Sequence, residues 1–253
     1  MSTTQARSIT TNQVSVHEDL IKIVAKHKQN ESKRPVAEHT MLAFRHMLTW
    51  LEEWQGDVII DACCGVGEST INIATQFPNA KVIGIDKSVA RLGKHQSYAD
   101  NEKSLELNSS NDVRQKDVAV RITNYLLLQA DLNDFWRLLL KYTRQTRPAW
   151  RVVKQFILYP NPYPKKSQLG KRWHGSALFP YIIALCSNIE VRSNWRLYIE
   201  EFLLAAEYYG LNGSIEDICR KSTDTAYTPF ERKYLAANQT CFKLVIRPSG
   251  SDK

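Results

Sequence analysis

The stretch from Val58 to Thr70, VIIDACCGVGEST, decides how this chain is read. Val58, Ile59 and Ile60 have the character of a buried strand and run through Asp61 into a loop holding Gly65 and Gly67. Glu68 then opens a predicted helix. Small residues in such a loop let backbone amides approach a ligand closely, and the helix N-terminus behind them favours anionic or electron-rich groups. A second acidic residue, Asp86, ends the next apolar run, KVIGID, 19 residues beyond Gly67. That spacing fits a carboxylate bonding the ribose hydroxyls of an adenine cofactor in an open α/β sheet.

Two cofactors compete for this loop. A dinucleotide fingerprint starting at Gly65 needs Gly or Ala at position 70, where the chain has Thr70, and a pyrophosphate is repelled by a carboxylate such as Asp61 at the strand end. S-adenosylmethionine has no phosphate, and its ammonium and sulfonium groups are drawn to a carboxylate. Asp61, Gly65, Gly67 and Asp86 together therefore favour a methyltransferase. The plainer alternative is a strand-to-helix turn in which Asp61 merely caps a helix.

The chain has 253 residues, room for one large α/β domain with a full core, and its 43% hydrophobic share marks a folded protein. A net charge of +8 and a pI near 9.2 point to an acidic partner, nucleic acid ahead of an anionic membrane. The five cysteines show no CxxC or Cys/His ligand spacing, so neither a disulfide framework nor a metal site is indicated. The polar N-terminus and the lack of an apolar run of membrane-spanning length predict a cytoplasmic protein that does not bind membranes. The oligomeric state is left open, with a monomer slightly favoured.

Residues 1–35 read as a mobile, basic N-terminal segment, in which helical spacing over 16–27 is followed by Lys28, Lys33 and Arg34. Residues 36–253 read as a single domain. The basic face has two readings, a surface for RNA or a solvated helix side. A helix from Ala37 to Trp54 leads into strands at Asp57 to Asp61, Lys81 to Asp86 and Tyr125 to Gln129, with helices between them. This alternation argues a parallel sheet with right-handed crossovers, and it puts Asp131 at the same sheet edge as Asp61 and Asp86. A polar insertion is expected at 100–117, and a further strand at Arg196 to Ile199 followed by a helix to Tyr209. Strand-like runs around Ser214 to Arg220 and at Cys241 to Arg247 would close the sheet as an antiparallel pair.

After the strand at Arg151 to Leu158 comes YPNPYPKKSQLGKRWHG, Tyr159 to Gly175. Pro160, Pro162 and Pro164 forbid a helix and stiffen the loop, because each locks its own φ and constrains the residue before it. Lys165, Lys166, Lys171 and Arg172 follow without an acidic residue among them. A stiff turn at a strand end that carries an amide, an aromatic ring and four cations suits presenting a base and holding its backbone. Near the end of the chain, TPFERK starts a helix at Thr228, where Glu231 is either a capping partner of Thr228 or a site residue.

In this combination (Asp61 with its glycine loop, Asp86, Asp131, the PNPYPKK turn and the terminal TPFERK) the chain resembles the bacterial tRNA (guanine-N7) methyltransferases. The resemblance runs in order from about Gly56 to Arg247. It implies a class I methyltransferase fold, Rossmann-like and doubly wound, with seven strands and an antiparallel last strand, binding S-adenosylmethionine and methylating a guanosine in the tRNA variable loop. By position it implies that Asp61, Gly65, Gly67, Asp86 and Asp131 hold the cofactor and that Asn161 lies against it at the catalytic place. Lys165, Tyr198, Thr228 and Glu231 would meet the substrate. The family's turn usually reads PDPWPKK, so Asn161 replaces an aspartate and Tyr163 a tryptophan. A family aspartate before the late helix is assigned to Tyr198, and Cys63 takes the place of a glycine, a position where only small size is expected to matter.

Two other functions stay open. Asn161-Pro162-Tyr163 is similar to the NPPY turn of amino methyltransferases, although the second proline is missing, so another base or an amine is an alternative acceptor. The loss of acidic groups also fits a homologue in which catalysis has decayed and RNA binding remains.

Overall fold

The computed structural model describes residues 9–32, 34–98, 123–218 and 226–247. The expected insertion at 100–117 and Lys33 lie outside these residues. In chain order the elements are α1 (Leu20–Gln29), α2 (Glu38–Trp50), β1 (Asp57–Ala62), α3 (Glu68–Gln76), β2 (Ala80–Asp86), α4 (Val89–Leu92), β3 (Tyr125–Gln129), α5 (Leu132–Thr146) and β4 (Arg151–Leu158). Two 3-10 turns, Lys166–Lys171 and Trp173–Gly175, lead to α6 (Phe179–Leu185), β5 (Ile189–Ser193), α7 (Arg196–Glu207), β6 (Asn212–Ile218), α8 (Pro229–Ala236) and β7 (Cys241–Arg247).

The strands form one seven-stranded sheet in the order β3-β2-β1-β4-β5-β7-β6. From β3 to β5 every pair is parallel, and β7 runs antiparallel to both β5 and β6. Because side chains alternate across a strand, Val58, Ile60 and Ala62 of β1 enter the larger core, beneath α2, α5, α6 and α7. Ile59 enters the smaller core on the opposite face, with Ile73 and Ala74 of α3. Helix α5 shows why this sequence is helical. Leu132, Phe135, Trp136, Leu139 and Leu140 are buried at a 3.6-residue period, and Asp131 caps the start by accepting from the Asn133 N–H. Strand order reverses beside β1, where β2 lies on one side and β4 on the other, leaving a crevice above their C-terminal ends.

Two expectations need correction. Arg196 to Ile199 is not a strand but the first turn of α7, whose buried Leu197, Tyr198, Ile199, Phe202, Ala205 and Ala206 fit a helix face. The strand lies earlier, in IEVRS, and its charges disguise it: Glu190 and Arg192 are buried and pair with each other at 2.7 Å. Finally, the described part of the supposedly mobile N-terminal segment is packed on the domain. Leu20 and Val24 of α1 are buried among α6 and α7, and the Ser32 N–H donates to the Tyr181 hydroxyl at 3.1 Å.

Candidate active site

The loop after β1 is shaped by three residues in the left-handed region, Cys63 (φ 62°), Gly65 (φ 62°) and Gly67 (φ 79°). A Cβ added at Gly67 would sit 2.6 Å from His95 Nδ1, so only glycine fits there, whereas the space beside Gly65 is open. The positive φ at Cys63 changes the reading of that position. A glycine is favoured there for its backbone freedom and not for small size alone, and Cys63 adopts a conformation uncommon outside glycine.

Asp61 lies behind this loop, fully buried, and accepts from the Ser69 hydroxyl at 2.6 Å and the Thr70 hydroxyl at 2.7 Å. It thereby ties the strand end to the first turn of α3. Burial pushes its carboxyl up to about 6, while the two hydroxyls pull the other way. Its second oxygen, Oδ1, has no hydrogen-bond partner among the described residues. The structure thus assigns Asp61 to shaping the loop and does not place it on the cavity wall.

That wall belongs to a cavity of about 650 Å³ at the strand ends, whose lining includes Gly65, Ser69, Asp86, Asp131, Asn161, Tyr163, Lys171, Thr228 and Phe230. Asp86 is almost fully buried and accepts from the Gly65 N–H at 3.1 Å and the Ser88 N–H at 2.8 Å, with Arg91 paired at 3.1 Å. Asp131 accepts from the Asn133 N–H at 2.9 Å, and Arg34 lies 3.7 Å from its other oxygen. These are the two carboxylates on the wall among the described residues, balanced by Lys87, Arg91 and Lys171. Nothing in the sequence pattern singled out Arg91, because its role follows from the turn that brings it back over Asp86.

The proline turn forms another part of the wall. It starts where the Tyr159 N–H donates to the Arg192 carbonyl at 2.8 Å, and both Tyr159 (φ 50°) and Tyr163 (φ 45°) are in the left-handed region. Asn161 is exposed on the cavity wall. Thr228 also reaches the wall, and its hydroxyl caps α8 by accepting from the Glu231 N–H at 3.0 Å. The half-exposed ring of Phe230, which sequence reasoning missed, stands beside it.

The other proposed substrate contacts are placed differently. Lys165 is exposed but off the cavity wall. Glu231 is 2% exposed, pairs with Arg192 at 3.0 Å, and does not line the cavity. Tyr198 touches the cavity but is wholly buried inside α7, its hydroxyl accepting from the Trp173 N–H at 3.4 Å, and burial raises its hydroxyl pKa well above the usual range. It cannot be the residue before the late helix, a place held by Asn194 and Trp195. Arg172, expected among the exposed cations, has no exposure and is bonded to Glu201.

An open α/β sheet with an antiparallel seventh strand, a glycine loop and an acidic residue at the end of β2 defines a class I methyltransferase, whose cofactor is S-adenosylmethionine. The family described as "Putative methyltransferase", that of the tRNA guanine-N7 enzymes, matches residues 55–244, and the chain belongs to it. The structure of an antibiotic-related methyltransferase superposes with a TM-score of 0.52 at 15% identity, over 85% of this chain and 100% of the other. The 16S rRNA methyltransferase KamB reaches 0.48 at 15% identity, over 86% and 98%. A mutant 16S rRNA (adenine(1408)-N(1))-methyltransferase from Catenulisporales acidiphilia, solved with S-adenosylmethionine, reaches 0.44 at 14%, over 98% and 100%. No curated protein sequence matches the chain.

The cavity residues fit this cofactor. Open space beside Gly65 admits a ligand against the backbone, and the Asp86 carboxylate stands at the end of β2, where a ribose would lie.

Proposed function

We propose that the protein transfers a methyl group from S-adenosylmethionine to N7 of a guanosine in the variable loop of tRNA. The observation that carries this reading is that Asn161, Thr228 and Phe230 line one cavity together with Gly65 and Asp86. Membership of the methyltransferase family and the net charge of +8 support it.

When bound, the cofactor supplies an electrophilic methyl group on a positively charged sulfur. Guanine N7 has an in-plane lone pair and no proton, so it bonds to the methyl carbon as the carbon–sulfur bond breaks, leaving S-adenosylhomocysteine and a cationic methylated base. No general base is required, and the chain's task is alignment and exclusion of water. Asn161 orients the base through its amide, while Tyr163 and Phe230 offer aromatic faces to it. A carboxylate at 161 would in addition balance the charge left on the purine. Among the described residues the carboxylates on the wall are Asp86 and Asp131, and position 161 supplies none.

Incubation of the protein with labelled cofactor and unmodified tRNA, followed by mapping of the product, tests the proposal. Label at guanine N7 supports it, and tRNA left unlabelled under saturating cofactor refutes it. The neutral amide at 161, followed by Pro162 and Tyr163, favours a second reading, transfer to an exocyclic or side-chain amine. Label on an amino group would establish that instead.

A further inference from the structure

We propose that Gln13, Arg172 and Glu201 are positioning residues that use the N-terminal segment to hold the proline turn in the shape that presents Asn161. The inference rests on the reading of Asn161 as the residue facing the methyl acceptor.

Arg172 and Glu201 are completely buried, and Gln13 is 5% exposed. The Arg172 guanidinium donates through Nε (3.2 Å) and one terminal nitrogen (3.1 Å) to the Tyr163 carbonyl. The same terminal nitrogen reaches the Lys165 carbonyl at 3.3 Å and Gln13 Oε1 at 2.9 Å, and the other donates to Glu201 at 2.5 Å. Two carbonyls flanking Pro164 are thus held by one planar fork, two residues beyond Asn161. A lysine ammonium, a single point charge, cannot reproduce that geometry.

Glu201 completes the clamp. Its Oε1 accepts from Gln13 Nε2 at 2.6 Å and the His17 N–H at 3.0 Å, and its Oε2 also meets His174 Nε2 at 3.0 Å. Burial alone would raise the Glu201 carboxyl, but bonding to His174, the Arg172 charge and the His17 N–H hold it down to about 2. The N-terminal segment grips the turn at two further points: the Thr11 hydroxyl donates to the Pro164 carbonyl at 2.5 Å, and Asn12 Oδ1 accepts from the Lys166 N–H at 3.1 Å.

This is more fastening than a loop needs in order to cover a core. Tyr163 sits in a left-handed conformation that a bulky residue rarely adopts, and such strain persists only where surrounding bonds over-determine it. The bonds onto the Tyr163 carbonyl come from Arg172, and Arg172 is itself held by Gln13, 159 positions away in sequence. Their common effect is on the segment that follows Asn161.

Removing Arg172 or Glu201 would strand a buried charge and compromise folding, so the test uses the neutral arms of the clamp. In the full chain, Gln13→Ala and Asn12→Ala are compared with wild type by amide hydrogen exchange over 163–172, calorimetry with S-adenosylmethionine, and single-turnover methyl transfer to unmodified tRNA. Asn12→Ala should speed exchange at Lys166 by about tenfold or more, and Gln13→Ala should speed it across the turn. Cofactor affinity should stay within about twofold. The transfer rate should fall about ten- to a hundredfold, as expected for a misplaced catalytic group. Asn12→Asp, which keeps an acceptor for Lys166, should restore both exchange and rate. Wild-type exchange in Gln13→Ala, or a rate loss matched by an equal loss of cofactor affinity, would overturn the inference. If wild type leaves tRNA unmethylated while the exchange pattern changes as described, the tRNA reading fails and the clamp stands.

Discussion

Asp86 holds Gly65 in place: one carboxylate oxygen accepts from the Gly65 N–H at 3.1 Å while the other pairs with Arg91 at the same distance. One side chain thereby orders the glycine loop and presents a charge to the cavity. Asp86→Ala should weaken S-adenosylmethionine binding by about tenfold or more, the equivalent of losing a charge-assisted bond worth about 1.5–3 kcal/mol. Asp86→Asn, which keeps an acceptor for Gly65, should lose less. Calorimetry decides, and a loss below about threefold for the alanine variant would move the ribose contact elsewhere.

Asn161 is exposed on the cavity wall, so replacing it should alter chemistry without disturbing the fold. Asn161→Asp supplies the missing negative charge and should keep or raise the rate of N7 methylation, whereas Asn161→Ala should lower it. Single-turnover rates are the measurement. Unchanged rates in both variants would make Asn161 structural.

The salt dependence of tRNA binding separates exposed cations from buried ones. Lys171 is exposed beside the cavity, while Arg172 is buried against Glu201 and Lys166 pairs with Glu18 at 2.7 Å. Each phosphate contact contributes a log–log slope of about 0.7 to 0.9. Lys171→Ala should therefore flatten the slope by about one contact and leave cofactor affinity unchanged. A wild-type slope in this variant would place the RNA on another surface.

Asp61 gives the apo protein a pH signature. Its carboxyl is raised from 3.8 to about 6 by burial, so its contribution to stability is full below pH 3.8 and is lost as pH rises through 6. The loss amounts to about 3 kcal/mol for a rise of this size. Asp61→Asn keeps an acceptor for Ser69 and Thr70 and removes the titration. Urea unfolding at pH 4.5 and 7.5 should show the variant gaining on wild type at the higher pH. An identical pH dependence in the two proteins would show that Asp61 is ionised throughout.

Much of the site was legible in the residues alone, because its parts are local. A β-branched run ending in Asp61, glycines where the backbone turns left-handed, and prolines that lock their own φ act over a few positions whatever surrounds them. Hence β1 to β4 lie where the sequence reading put them, and Gly65, Asp86, Asp131 and Asn161 come together around one cavity at the strand ends. The strand IEVRS was hidden because its charged residues are buried in pairs, so its pattern lacked the apolar character of a core strand. Arg172 read as an exposed cation, and Glu231 was left between a helix cap and a site residue, for a related reason. A charged side chain looks the same in sequence whether water or a distant partner surrounds it. Only tertiary contacts, Arg172 with Glu201 and Gln13 and Glu231 with Arg192, decide that these charges stay inside, because only a paired and hydrogen-bonded ion can be taken out of water without a prohibitive desolvation cost.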